Sequence, residues 1–157
     1  MKKLVLIRHA EAEPENDSIS DFDRNLTNAG KKDAAKMAAI LLNNTPVPEI
    51  IISSPAARAL ETAHIFAATF GLDNVKTEPK TYEASAETLL QIINLFDDRY
   101  DIVHLVGHNP GISNLLYKLT AEITTMSTSA WVEVELKADS WTEISADCGS
   151  LLQYQFP

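Results

Sequence analysis

The sequence predicts an α/β sandwich, a mainly parallel sheet with helices on both faces, and three observations carry that reading. Short apolar runs recur at residues 4–7, 49–52 and 102–106, as expected of strands buried on both faces. Amphipathic segments of helical length separate them. A strand-rich tail follows from residue 132 and supplies antiparallel strands at the end of an otherwise parallel sheet. With 157 residues and no repeat, low-complexity tract or linker, the chain is expected to form a single three-layer domain over residues 1–157.

Each element has its own signal. Leu4-Val5-Leu6-Ile7 is the first strand. Residues 11–25 are polar and acidic and read as a loop, in which Glu11, Glu13 and Glu15 form a solvated run rather than a metal site. Thr27 caps a helix running to about residue 42, with Ala35, Ala38, Leu41 and Leu42 along one side. Beyond Pro46 and Pro48, Glu49-Ile50-Ile51-Ile52 is the second strand. Ser54 as N-cap and Pro55 as first helical residue open a second helix, which carries Leu60, Ala63, Phe66, Ala67 and Phe70 and ends at Gly71. Residues 75–78 form a weaker strand. Ser85 opens a third helix with Leu89, Ile92, Ile93 and Phe96 on one face, at i, i+3, i+4 and i+7. After the strand at 102–106, Pro110 starts a helix to about residue 119. Residues 132–136 alternate strictly, and residues 141–144 and 151–156 read as further strands. Trp131 and Trp141 are packing residues, and His64 and His104, mid-helix and mid-strand, are structural.

Composition narrows the function. Lys and Arg number 13 against 22 Asp and Glu, a formal net charge of −9. That balance argues against a nucleic acid or an anionic membrane as partner, yet a few arginines focused in one cleft still attract an anionic substrate. Cys148 is the one cysteine, so neither an internal disulfide nor a cysteine-based zinc site is expected. The apolar run ending at Arg8 is too short for a signal peptide, and no stretch approaches the roughly 20 apolar residues of a membrane helix. A cytoplasmic protein without a cofactor is the expectation.

The chemistry collects at strand ends. Arg8 and His9 follow the first strand, Arg58 lies in the first turn of the helix behind the second, Glu83 follows the third, and His108 lies in Gly107-His108-Asn109-Pro110-Gly111 after the fourth. Ligands of open α/β sheets bind beyond the carboxyl ends of the strands, so parallel strands would bring all four groups to one rim. Two arginines and two histidines suit a phosphate, because the guanidinium fork matches phosphate oxygens and keeps its charge. The start of the second helix adds backbone N–H groups and the positive end of its dipole. An imidazole between arginines is a useful nucleophile, since neighbouring positive charge disfavours its protonated form. Taken singly, each has a plainer reading: Arg8 a surface charge, His108 a turn residue, Arg58 a solvated helix residue, Glu83 a loop carboxylate.

Together these residues resemble a known family. Leu6-Ile7-Arg8-His9-Ala10-Glu11-Ala12 resembles the Arg-His-Gly signature of the histidine phosphatase (phosphoglycerate mutase-like) superfamily, with Ala10 where the signature has glycine. The segment from Ser53 through Arg58 to Ala63 resembles its second motif, and Val106-Gly107-His108-Asn109 its late histidine. Asp23-Arg24-Asn25-Leu26-Thr27-Asn28-Ala29-Gly30 resembles the loop leading into its first helix. The short length and Tyr82-Glu83-Ala84-Ser85 look like the SixA-type phosphohistidine phosphatases. The resemblance implies that His9 carries the phosphoryl group as a covalent phosphohistidine. It further implies that Arg8, Arg58 and His108 hold the phosphoryl oxygens, and that Glu83 is the candidate acid and base. No metal is needed on this scheme. The implied partner is a phosphorylated protein, for example a histidine phosphotransfer domain, or else a small phosphate ester such as a sugar phosphate. A phosphate-binding module without turnover is the alternative from another class.

Overall fold

The computed structural model describes residues 1–157. In chain order the elements are β1 (Lys2–Arg8), α1 (Asn28–Asn44), β2 (Ile50–Ser53), α2 (Ala57–Phe70), β3 (Val75–Thr77), α3 (Ala86–Ile93), β4 (Ile102–Gly107), α4 (Gly111–Thr120), β5 (Trp131–Leu136) and β6 (Gly149–Gln155). Three short 3₁₀ turns lie at Asp21–Asp23, Pro79–Thr81 and Trp141–Glu143. The strands form one sheet in the order β3-β2-β4-β1-β5-β6. The first four are parallel to one another, and β5 and β6 are antiparallel. This is the mixed α/β architecture expected from the alternation of apolar runs and helical segments.

The two faces of the sheet divide the core. Val5, Ile7 and Ile51 pack with Met37 and Leu41 of α1 and Ala63 and Phe66 of α2. Leu4, Leu6 and Leu105 pack on the opposite face with Leu89 and Ile93 of α3 and Leu115 and Leu116 of α4. Successive side chains of a strand point to opposite faces, so a strand covered on both must be apolar throughout. Each fully buried side chain of this size stabilises the fold by about 1.5–3 kcal/mol. The helix signals act where expected: Thr27 Oγ1 accepts from Gly30 N–H, Ser85 Oγ accepts from Thr88 N–H, and Gly71 ends α2 at a φ of 65°.

Several details depart from the sequence reading. Helix α1 buries Ala34, Met37, Ala38 and Leu41 and leaves Ala35 and Leu42 exposed. Helix α2 begins at Ala57, so Pro55 is not its first helical residue. Ser54 is not the N-cap of α2; that position is Ala56, and Ser54 is turned inward. Residues 141–144 are a 3₁₀ turn rather than a strand. The carbonyls of Trp141 and Ile144 both accept from Asn94 Nδ2, which ties that turn to the end of α3. The alternating run at 132–136 is strand β5 as expected, and both faces of the sheet are covered there. Glu133 is only 3% exposed and pairs with Lys3 and Gln153. Phe96 lies past the end of α3 but still packs on the core. His64 is exposed on the outer face of α2, whereas His104 is fully buried. No helix is long and apolar enough to cross a membrane.

Candidate active site

Register sets the site. Arg8 ends β1 directly opposite Gly107 at the end of β4, so His9 and His108 emerge side by side, with ring centroids 5.2 Å apart. The His9 backbone is held from both neighbours: its N–H donates to Gly107 O at 3.1 Å, and its carbonyl accepts from Ser129 N–H at 3.2 Å. Beyond it, Ala10 N–H donates to Thr62 Oγ1, whose hydroxyl in turn donates to Arg58 O. One threonine thus ties the loop after β1 to the first turn of α2.

His9 Nδ1 lies 2.8 Å from the Ala10 carbonyl oxygen. A carbonyl can only accept, so the hydrogen-bond network assigns the imidazole hydrogen to Nδ1 and leaves the Nε2 lone pair free. Burial pushes the His9 pKa down to about 4; the Ala10 bond opposes this, and Arg58, Arg8 and Arg24 add to it. The ring is therefore neutral at pH 7. His108 is pushed down to about 3, again chiefly by burial and then by His9 and Arg58. Its Nε2 lies 2.8 Å from Ser54 Oγ, which already accepts from Ala56 N–H at 3.2 Å. With the Ser54 hydroxyl donating to Nε2, the His108 hydrogen sits on Nδ1.

The two arginines are anchored by their terminal nitrogens. Arg8 Nη1 donates to Met126 O at 3.0 Å, a carbonyl shared with Asn109 Nδ2. Arg58 Nη1 donates to Asp21 O at 2.7 Å and Nη2 to Asp21 Oδ2 at 3.0 Å. In both side chains Nε is buried without a partner, and so is His108 Nδ1. Each of the three residues that sequence reasoning singled out to hold phosphate lines one cleft, and each keeps one nitrogen buried without a partner behind that surface.

That cleft has a volume of about 1300 Å³, and it brings together Arg8, His9, Arg58, Glu83 and His108. Glu83 is exposed at its edge with a φ of 53°, a strained backbone for glutamate, and its carboxylate has no hydrogen-bond or ionic partner. The neighbouring loop seats directly on α4, where a Cβ at Gly111 would overlap the Ala84 carbonyl. No group of three or more His, Cys, Asp or Glu side chains is placed to hold a metal ion.

Sequence reasoning missed three members of this site. Asp21 accepts from Arg58, from Arg24 through Nε and Nη2 at 3.0 and 2.8 Å, and from the Tyr82 hydroxyl at 2.6 Å. The Tyr82 bond, with the two arginines, holds the Asp21 carboxyl well below the usual carboxylate range, and the same bond pushes Tyr82 up to about 12. The Tyr82 ring stands edge-on to His108 at 5.5 Å. Asp21 and Arg24, three apart, are the local signal in what reads as a plain acidic loop.

A neutral, oriented imidazole beside one buried and one half-buried guanidinium at the carboxyl end of a parallel sheet is suited to a phosphoryl anion. Comparison with known proteins makes the class specific. Residues 4–93 match the Histidine phosphatase superfamily (branch 1), and the chain belongs to that family. Phosphatase chemistry is what this membership supports. An uncharacterized chloroplastic protein of Arabidopsis thaliana is 30% identical over 94% of this chain and 72% of its own length. An Agrobacterium tumefaciens protein assigned as phosphohistidine phosphatase SixA is 26% identical, with a TM-score of 0.86 over 99% of this chain and 98% of that one. A Nakamurella multipartitia protein, also assigned as SixA, shares the fold at a TM-score of 0.87 and 22% identity over 99% and 96% of the two chains.

Proposed function

We propose that this chain is a protein phosphohistidine phosphatase that passes the phosphoryl group to His9 Nε2 and then to water. The observation that carries the reading is the convergence of Arg8, Arg58 and His108 in one cleft around an imidazole whose Nδ1 is already committed to Ala10. In the first step the Nε2 lone pair forms a bond to phosphorus as the bond to the leaving group breaks, and the leaving group departs with that electron pair. Charge spreads over the three remaining oxygens, where the arginines and His108 act. In the second step water attacks the same phosphorus and gives its proton to a base. The phosphorus–nitrogen bond breaks, returning the lone pair to His9 and releasing inorganic phosphate. Glu83 is the candidate for acid and base.

Two features favour phosphohistidine over an alkyl ester. An alkoxide leaving group needs a proton from an acid, worth roughly 10² to 10⁴ in rate, so an ester depends on Glu83, the candidate at the exposed edge of the cleft, to supply it. A leaving imidazole can already carry its proton near neutral pH, since its reference pKa is about 6.5. The cleft, at about 1300 Å³, also exceeds the roughly 300–1,000 Å³ of a small-ligand pocket and leaves room for a protein surface. The test is phosphate release from a phosphorylated histidine phosphotransfer domain, run beside a panel of phosphate esters including sugar phosphates. Efficient ester cleavage with an inert phosphohistidine domain overturns the substrate class.

A further inference from the structure

The cleft sorts its charges by depth. Arg8, Arg24 and Arg58 are buried or half-buried, and Asp21 is the carboxylate held among them. Glu11, Glu15, Glu83, Glu87 and Asp147 line the same cleft further out, and all five are exposed. Glu87 pairs with Lys118 at 3.5 Å, and the other four carboxylates meet no cation. Charges of both signs are enriched here, six Asp or Glu and four Lys or Arg among 24 cleft residues against 22 and 13 of 157 overall, and it is their separation by depth that distinguishes the cleft. The floor is independently cationic, because Arg58 is only 5% exposed and its Nε is buried without a partner.

We infer that the cleft accepts a phosphoryl group only on a neutral or cationic carrier and discriminates against carriers with a second anionic group. The inference rests on the phosphatase reading above and narrows its substrate class. Three arginines against Asp21 leave the floor two net positive charges, which a bound phosphoryl dianion cancels. The rest of the substrate then meets four carboxylates that nothing in the cleft balances. A phosphorylated segment flanked by lysines fits this field, as does an uncharged sugar. A nucleotide, a bisphosphate or a phosphorylated carboxylic acid does not.

The size of the effect follows from Coulomb's law. One charge pair about 10 Å apart in water changes binding about twofold, so four carboxylates change it about tenfold or slightly more per unit of carrier charge at low salt. Screening reduces this severely once the Debye length falls to about 3 Å, near 1 M salt. The test compares two peptides carrying the same phosphohistidine, one flanked by lysine and one by glutamate, so that the leaving group is unchanged. Phosphoethanolamine and phosphoglycolate form a second pair, whose binding to the His9→Ala protein is measured without turnover. The expected result is a preference for the cationic member of each pair that shrinks with salt. It should fall about fourfold per unit charge in Glu15→Gln/Asp147→Asn, where two outer carboxylates are removed from exposed positions. Equal binding of both members, preference for the anionic member, or a preference indifferent to salt and to the double variant overturns the inference. If both peptides are inert while the ester pair shows the charge preference, the phosphohistidine reading fails and the charge rule stands.

Discussion

Asp21→Asn tests how the arginine floor is held. Asp21 offers Arg58 two acceptors, its backbone oxygen at 2.7 Å and Oδ2 at 3.0 Å, while Oδ2 also takes the Tyr82 hydroxyl and Oδ1 takes Arg24. Asparagine keeps the backbone contact but leaves one side-chain oxygen where three donor groups converge, so at least one charge-assisted hydrogen bond is lost. Such a bond contributes about 1.5–3 kcal/mol, and at 30% exposure of the carboxylate the low end applies. If that loss falls on the orientation of Arg58, kcat drops about tenfold. A loss of this size lowers Tm by a few degrees in a chain of this length. Steady-state kinetics, with inhibition by vanadate and by phosphate, separates orientation from bulk stability. Vanadate resembles the transferring group, so its affinity should fall more than that of phosphate. A variant with lowered Tm but unchanged kcat and unchanged vanadate-to-phosphate ratio would show that Asp21 only braces the loop. Tighter phosphate binding would show instead that Asp21 competes with the substrate for Arg58.

His9→Ala should abolish turnover while the protein stays folded. Brief incubation of the unaltered protein with labelled substrate and an alkaline quench should trap acid-labile label, whereas label stable to acid refutes a phosphorus–nitrogen bond. Glu83→Gln should slow pre-steady-state transfer from an ester strongly and from phosphohistidine only slightly; an equal loss from both removes Glu83 as a leaving-group acid. His104 concerns stability: burial pushes it down to about 3, below its unfolded value near 6.5, so the unfolded chain binds the extra proton and stability is lost as pH falls below about 6.5. His104→Leu should reduce the pH dependence of the denaturant midpoint between pH 6.5 and 4, with His9 and His108 supplying what remains, and an unchanged slope excludes this account.

The parts legible in the sequence are those with a local cause. Leu4 to Ile7 reads as a buried strand because both faces are covered, and the strand order then carries Arg8, His9, Arg58, Glu83 and His108 to one rim without further information. Ser85 and Thr27 read correctly as caps because their partners lie three residues away. Asp21 was illegible for the opposite reason, since Arg58 and Tyr82 stand 37 and 61 positions along the chain. Ser54 misled because Ser-Pro at a helix start is a good capping signal, while the hydroxyl is drawn to His108, 54 positions away. The turn at Trp141 has the residue types of a strand, and it bends because Ser140 caps it, Asp98 accepts from Trp141 N–H, and the Asn94 side chain just past α3 reaches its carbonyls.

The burial that keeps His9 neutral also leaves neighbouring polar atoms without partners. Desolvation keeps His9 neutral, and the same dry surroundings strand Arg8 Nε, Arg58 Nε and His108 Nδ1 without acceptors. An unpaired buried donor costs about 1–3 kcal/mol, more when charged. On the proposed reading, an arriving phosphoryl group that draws these side chains toward it removes the penalties, so part of its affinity comes from relieving the protein rather than from new attraction. This relief acts only at contact distance. At longer range the net charge of −9 and the outer carboxylates oppose any anion, and on the proposed reading the balance between the two is set by depth. A group that presents a single dianion to the floor and no further charge to the rim gains the short-range relief and escapes most of the long-range repulsion. The acidity of the chain and its affinity for phosphate are then two parts of one selection, made at different distances.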